Sequence, residues 1–193
     1  MGVIRAFIAL DLEQEVLHRL DTIIRQLKQS LDGVPVRWVQ AKNIHLTLKF
    51  LGDVSEANLP VLYKILENEA SKHPSFEVFV AGLGAFPNLN RPRVIWVGVQ
   101  APAELTALQH NIDTETARLG YQSEERGFSP HLTLGRVSRN ATPNETHRIG
   151  EALQITKVNT LGVTRPQAVH FYRSDLNPDG AIYHCLYSAP LRG

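Results

Sequence analysis

The four residues His45-Leu46-Thr47-Leu48 return as His131-Leu132-Thr133-Leu134. At ordinary composition a chain of this length produces such a match by chance roughly 20% of the time. Its weight therefore depends on whether the surroundings repeat as well, and they do. The first copy reads as a strand in "VIRAFIAL" (3–10), then a helix with Leu12, Val16, Leu20, Ile23, Ile24, Leu27 and Leu31 at helical spacing. Asp11 with Gln14 resembles a capping box, and Asp32-Gly33 ends the helix. "VRWV" (36–39) and "IHLTLKF" (44–50) read as strands. A helix capped by Ser55, with Pro60 in its first turn, and the strand "FEVFVAGL" (76–83) follow.

The second copy runs strand "RVIWVGV" (93–99), helix 103–120 ending at Gly120, strand "HLTLGRV" (131–137) and a shorter helix 143–153. Strands 168–174 and 181–188, joined by the turn "LNPDG", finish the chain. The same tetrapeptide in the same slot of a repeated supersecondary pattern implies one α+β domain of two lobes with approximate two-fold symmetry. The repeats span about 3–83 and 93–188, and "GAFPNLNRPR" (84–93) is the crossover.

On a strand, alternate side chains share a face. His45 and Thr47 therefore point one way and Leu46 and Leu48 the other, into a core; His131 and Thr133 stand likewise against Leu132 and Leu134. Two such strands facing one groove offer two imidazoles and two hydroxyls to a single ligand. That set suits a phosphate diester. One neutral imidazole takes a proton from the nucleophile, and one imidazolium gives a proton to the leaving oxygen. Thr hydroxyls donate to the non-bridging oxygens. Which ring has which role is open at this level. No carboxylate lies within two positions of either histidine, which disfavours a metal centre or a triad.

Arg136 lies five residues beyond His131, where the first copy has Phe50. On a regular strand this odd offset points it away from the groove, as a solvated strand-end charge. A twist or bulge at Gly135 re-aims it toward a phosphate oxyanion. Phe7 and Trp38 are candidates to stack on a terminal base, each with a core role as the alternative.

The totals set bounds. Formal net charge is +1, so no broad basic field serves long nucleic acid, and a short end with few phosphate contacts is the expected ligand. The one cysteine, Cys185, excludes an internal disulfide and a Cys-based zinc site; it reads as a small core residue. The apolar run at the N-terminus stops at Asp11, too short to span a membrane. A cytoplasmic monomer without membrane contact is expected.

At these residues the chain resembles the 2H phosphoesterase superfamily, which carries paired His-x-Thr motifs. It is most similar to the bacterial and archaeal RNA 2′,3′-cyclic phosphodiesterase branch, also called 2′-5′ RNA ligase-like. "RAFIALDL", "WVQAKNIHLTLKFLGDV", "AFPNLNRPRVIWVGV", "FSPHLTLGRV" and "FYRSDLNPDGAIYHCLYSAPL" carry the resemblance. It implies a duplicated bilobal fold, with two antiparallel-rich sheets flanking a central cleft and helices outside, and no metal or cofactor. It implies hydrolysis of a 2′,3′-cyclic phosphate on RNA or a nucleotide to a 2′-phosphomonoester. His45 would protonate the leaving 3′-oxygen and His131 would activate water; Thr47, Thr133 and Arg136 would hold the phosphate. The alternatives are 2′-5′ joining of RNA ends by the reverse chemistry, and a non-catalytic module for RNA ends or cyclic nucleotides.

Overall fold

The alternation in 3–10 forms β1 (Val3–Leu10). Ala6, Ile8 and Leu10 enter the core, and Phe7 and Ala9 turn to the opposite face. In the computed structural model, which describes residues 2–123, 127–177 and 180–193, the next element is α1 (Gln14–Ser30). It buries Val16, Leu20, Ile24 and Leu27 as one stripe. Asp11 is not its cap. The helix begins later, Glu13 stands at the N-cap without a side-chain bond, and Asp11 accepts a hydrogen bond from Tyr172 Oη at 2.6 Å.

The chain continues through β2 (Val36–Trp38), a 3-10 turn (Ala41–Asn43), β3 (Leu46–Ser55), α2 (Leu59–Ala70) and β4 (Val78–Phe86). Pro60 sits in the first turn of α2 as expected, but Ser55 closes β3 and makes no side-chain capping bond. Then come β5 (Val94–Gln100), α3 (Ala103–Ala117), β6 (His131–Val137) and α4 (Pro143–Ile155), with β7 (Thr160–Thr164), β8 (Ala168–Asn177) and β9 (Gly180–Pro190) last. A capping box starts α4, where Thr142 and Glu145 bond reciprocally. β7 was not expected from sequence, because its five residues include Gly162 at φ +126° and show no alternation. β8 and β9 pair as a hairpin; Pro178 and Asp179 of the expected "LNPDG" turn lie outside the described residues.

Among the described residues the strands form two antiparallel sheets, ordered β3-β1-β8-β9 and β2-β6-β5-β4-β7. Each sheet draws on both halves of the chain. β4 crosses to pair with β5, and the closing hairpin returns to β1. The helices pack their apolar stripes on one face of each sheet, in a continuous core that includes Leu20, Leu62, Leu105 and Ile149. The other faces line the cleft, and β3 approaches β6 between them. Among the described residues no helix is long and apolar enough to cross a membrane.

Candidate active site

Both histidines are held in the same way. His45 Nδ1 lies 2.9 Å from the carbonyl of Asn43, and His131 Nδ1 lies 2.8 Å from the carbonyl of Ser129. A carbonyl only accepts, so in each ring Nδ1 carries the proton and donates it. The neutral form of each ring then presents an unprotonated Nε2, which can take a proton; the charged form presents Nε2–H, which can give one. The anchors are local, two residues upstream in each case. Asn43 is fixed in turn by its own Nδ2 donating to the Ala181 carbonyl at 3.2 Å.

Aromatic rings back each imidazole. Phe7 stacks on His45 with centroids 4.5 Å apart and planes at 21°, and Tyr183 meets it edge-on at 5.2 Å. Phe86 meets His131 edge-on at 4.9 Å. These contacts set ring orientation by packing, while the carbonyls set the tautomer. Burial among the rings also disfavours the imidazolium of His45. Its pKa is pushed down to about 4, against the pull of the Asn43 carbonyl and the Asp11 carboxylate.

Thr47 and Thr133 follow on the same faces as their histidines. Thr47 pairs with Ala9 and Thr133 with Trp96. Gly84 makes room for that indole, since a Cβ there would sit 2.5 Å from the Trp96 ring. Beyond each threonine the ladder slips by one residue. In β3, Thr47 pairs with Ala9 and Lys49 with Ile8, leaving Leu48 extra; in β6, Thr133 pairs with Trp96 and Gly135 with Ile95, leaving Leu134 extra.

The two bulges decide where the next side chains go. Gly135 stays on the core side, where Trp38 and Val36 lie 3.0 Å from the position of a Cβ. Arg136 therefore returns to the cleft face and is exposed, as the bulge at Gly135 required. Burial raises the pKa of the Tyr183 hydroxyl on the opposite sheet, and the Arg136 charge offsets part of that rise. In β3 the bulge sends Lys49 into the core, where Nζ bonds Asp113 and the Gln122 carbonyl at 2.5 Å each. Phe50 is turned to the cleft face beside Phe7, 6.2 Å between centroids and 55% exposed. Sequence reading used Phe50 only as a contrast to Arg136. Its equal offset from the histidine was the signal that it shares the cleft.

The two expected stacking aromatics are placed on different faces. Phe7 does face the cleft, but it is 3% exposed and spent on His45, Phe50, Tyr172 and Tyr183. Trp38 lies on the opposite face of β2 from Arg37, packed over Gly135. Cys185 is exposed rather than in the core. A bulge at Leu186 pairs it with Tyr172, and its Sγ lies 3.4 Å from Ser188 Oγ and 3.8 Å from His170 Nδ1. Tyr172 bonds Asp11, and burial first, then that bond, raises its hydroxyl far above the ordinary tyrosine range. Among the described residues no group of three His, Cys, Asp or Glu side chains is placed to hold a metal ion.

The LigT-like phosphoesterase family description matches residues 10–96, a span that contains His45 and Thr47. An RNA 2′,3′-cyclic phosphodiesterase of Methanothermobacter thermautotrophicus is 34% identical over 180 residues, covering 93% of this chain and 95% of its own. This chain belongs to the LigT-like phosphoesterases. An RNA 2′,3′-cyclic phosphodiesterase of Thermotoga maritima is also 34% identical, over 98% of this chain and 96% of its own. The LigT-like fold is found again in solved structures. A Thermus thermophilus protein superposes with a TM-score of 0.82 at 25% identity, covering 98% of this chain and 99% of its own. Escherichia coli LigT complexed with 3′-AMP gives 0.77 at 26% identity over 98% and 99% of the two chains.

Proposed function

We propose that this protein hydrolyses 2′,3′-cyclic phosphate ends of RNA or nucleotides to 2′-phosphomonoesters, without a metal or cofactor. The observation that carries this reading is the matched anchoring of His45 and His131, each with Nδ1 tied to a carbonyl and Nε2 left for proton transfer. Relatives named for this activity align over nearly the whole chain. A water oxygen attacks phosphorus and its proton passes to Nε2 of His131. The P–O3′ bond breaks, and Nε2–H of His45 protonates the departing 3′-oxygen. Thr47, Thr133 and Arg136 hold the non-bridging oxygens, where negative charge concentrates. Exchange with solvent then returns both rings to their starting forms.

The acid role sets a demand on His45, whose pKa of about 4 leaves it neutral in the empty site at neutral pH. The substrate answers it. A phosphate monoanion about 4 Å from the ring contributes about 4 kcal/mol at an effective dielectric of 20. That is close to a thousandfold in protonation. Binding itself therefore charges the acid, and an empty site keeps its histidine neutral.

The matching anchors, bulges and aromatic supports of the two His-Thr strands support one bilobal domain built from repeats over about 3–83 and 93–188. One free cysteine fits a reducing compartment, so the proposed location is the cytoplasm. A single chain supplies the whole catalytic set, so a monomer suffices.

The test is to incubate an RNA oligonucleotide ending in a 2′,3′-cyclic phosphate with the protein and excess chelator, with and without a second RNA bearing a 5′-hydroxyl. The expected product has unchanged length and a 2′-phosphate. A lengthened product would assign the protein to end joining. An intact cyclic end across pH 5–9 would overturn the proposal.

A further inference from the structure

Arg37 on β2 and Arg136 on β6 are direct cross-strand partners. Their side chains leave the sheet on one face, from Cβ atoms about 5 Å apart. Both are exposed. Like charges so placed weaken a strand pair unless something neutralises them. Among the described residues neither guanidinium has a carboxylate within ion-pair distance. Arg139 joins them along an open groove of about 540 Å³ that also touches Val34, Pro35 and Ser138 and has no acidic side chain in its lining. In a chain of net charge +1, three arginines that line one groove and, among the described residues, form no ion pair mark a local departure.

The position of the groove says what the anion is. β6 carries His131, Thr133 and Arg136 in succession on the cleft face, so Arg136 belongs both to the phosphate site and to the groove. β2 is the edge strand of its sheet, and the groove's lining runs from Arg136 on β6 to Arg37 on β2 and to Val34 and Pro35 before it. An RNA held by its cyclic end has one covalent continuation, through the 5′-oxygen of the terminal nucleoside. The next anion along it is the phosphodiester just upstream.

We propose that the groove over β2 is a subsite for the backbone phosphates 5′ of the cyclic end, contacted by Arg37 and Arg139, which makes RNA oligonucleotides the preferred substrates over free nucleoside cyclic phosphates. This rests on the hydrolase reading above. It adds a contact to the upstream backbone that the two histidines and two threonines do not supply. Two phosphate contacts on a single strand give a salt slope in log K of about −1.4. That is modest, and consistent with a near-neutral chain that grips only a short end.

The experiment compares kcat/KM for a trinucleotide ending in a 2′,3′-cyclic phosphate with that for the matching nucleoside 2′,3′-cyclic phosphate. The wild-type protein and the double variant Arg37→Gln, Arg139→Gln are assayed at several salt concentrations. In parallel, fluorescence anisotropy reads binding of a labelled trinucleotide ending in a 2′-phosphate. The wild-type protein is expected to favour the trinucleotide by tenfold or more, and the double variant to lose most of that ratio and most of the salt slope. Equal ratios in the two proteins, or a ratio near one in the wild type, would overturn the subsite. If neither substrate turns over, the hydrolase reading fails. Anisotropy still judges the groove: loss of the salt slope in the variant supports it, and an unchanged slope overturns it.

Discussion

Phe50 and Arg136 occupy the same slot of their strands: each lies five residues after its histidine, and a bulge before each turns it to the cleft face. One slot holds an exposed ring and the other an exposed cation. The two sides of the cleft are thus matched in their histidines and threonines and differentiated one turn of the ladder later. Arg136 carries the charge that the proposed phosphate contact needs, and Phe50 presents an exposed ring on the same cleft.

Phe50→Ala is expected to raise KM for a nucleoside 2′,3′-cyclic phosphate by about tenfold and to change kcat little. Base–aromatic stacking contributes about 1–3 kcal/mol by such substitutions, and a phenyl ring has no proton to give or take in the reaction. Phe50→Trp should retain most affinity. Steady-state kinetics on the three proteins gives the answer. An unchanged KM in the alanine variant would remove Phe50 from the ligand site.

His45 should titrate near pH 4 in the free protein and move upward when a nucleoside 2′-monophosphate fills the cleft. Burial lowers the value in the empty site, and the phosphate charge opposes burial. The same depression sets a sign for stability. The folded value lies below the unfolded one, so between about pH 6.5 and 4 the unfolded chain binds more protons. Stability from this group is complete above that window and falls through it as pH drops, by up to about 3 kcal/mol. NMR of the histidine ring carbons with and without the nucleotide measures the shift. A His45 that stays neutral at pH 6 in the complex would give the acid role to His131 instead.

Much of the site was legible because strand alternation needs no tertiary information. His45, Thr47, His131 and Thr133 share the cleft for the reason that Leu46, Leu48, Leu132 and Leu134 share the core. Departures from alternation were legible only where a residue announces them. Gly135 marked the β6 bulge; the matching bulge at Leu48 has no glycine, so the burial of Lys49 was hidden, and Phe50 could be placed on the cleft only through its offset, which equals that of Arg136. The bulge at Leu186 hid the exposure of Cys185 in the same way. Local patterns also do not say which strands pair across the chain, and so the crossing of β4 into the second sheet emerged only in three dimensions.

Lys49→Met should destabilise the fold by about 3 kcal/mol, since removing one partner of a buried pair leaves the other charge uncompensated. The Lys49 side chain is fully buried, and it ties β3 to α3 through Asp113 and to the loop through the Gln122 carbonyl. Urea denaturation monitored by circular dichroism reads the loss. A change below about 0.5 kcal/mol, the range of ordinary surface substitutions, would mean that the pair contributes no net stability.

The central claim is that two carbonyl-anchored imidazoles divide the proton work. It is tested most directly by phosphorus NMR of a nucleoside 2′,3′-cyclic phosphate with the wild-type protein, His45→Ala and His131→Ala, in excess chelator. General acid or base catalysis contributes about 10²–10⁴-fold. Each variant should therefore lose at least a hundredfold in turnover while still binding a nucleoside 2′-monophosphate, and the wild-type product should retain its phosphate on the 2′-oxygen. Full turnover in either alanine variant would contradict the account.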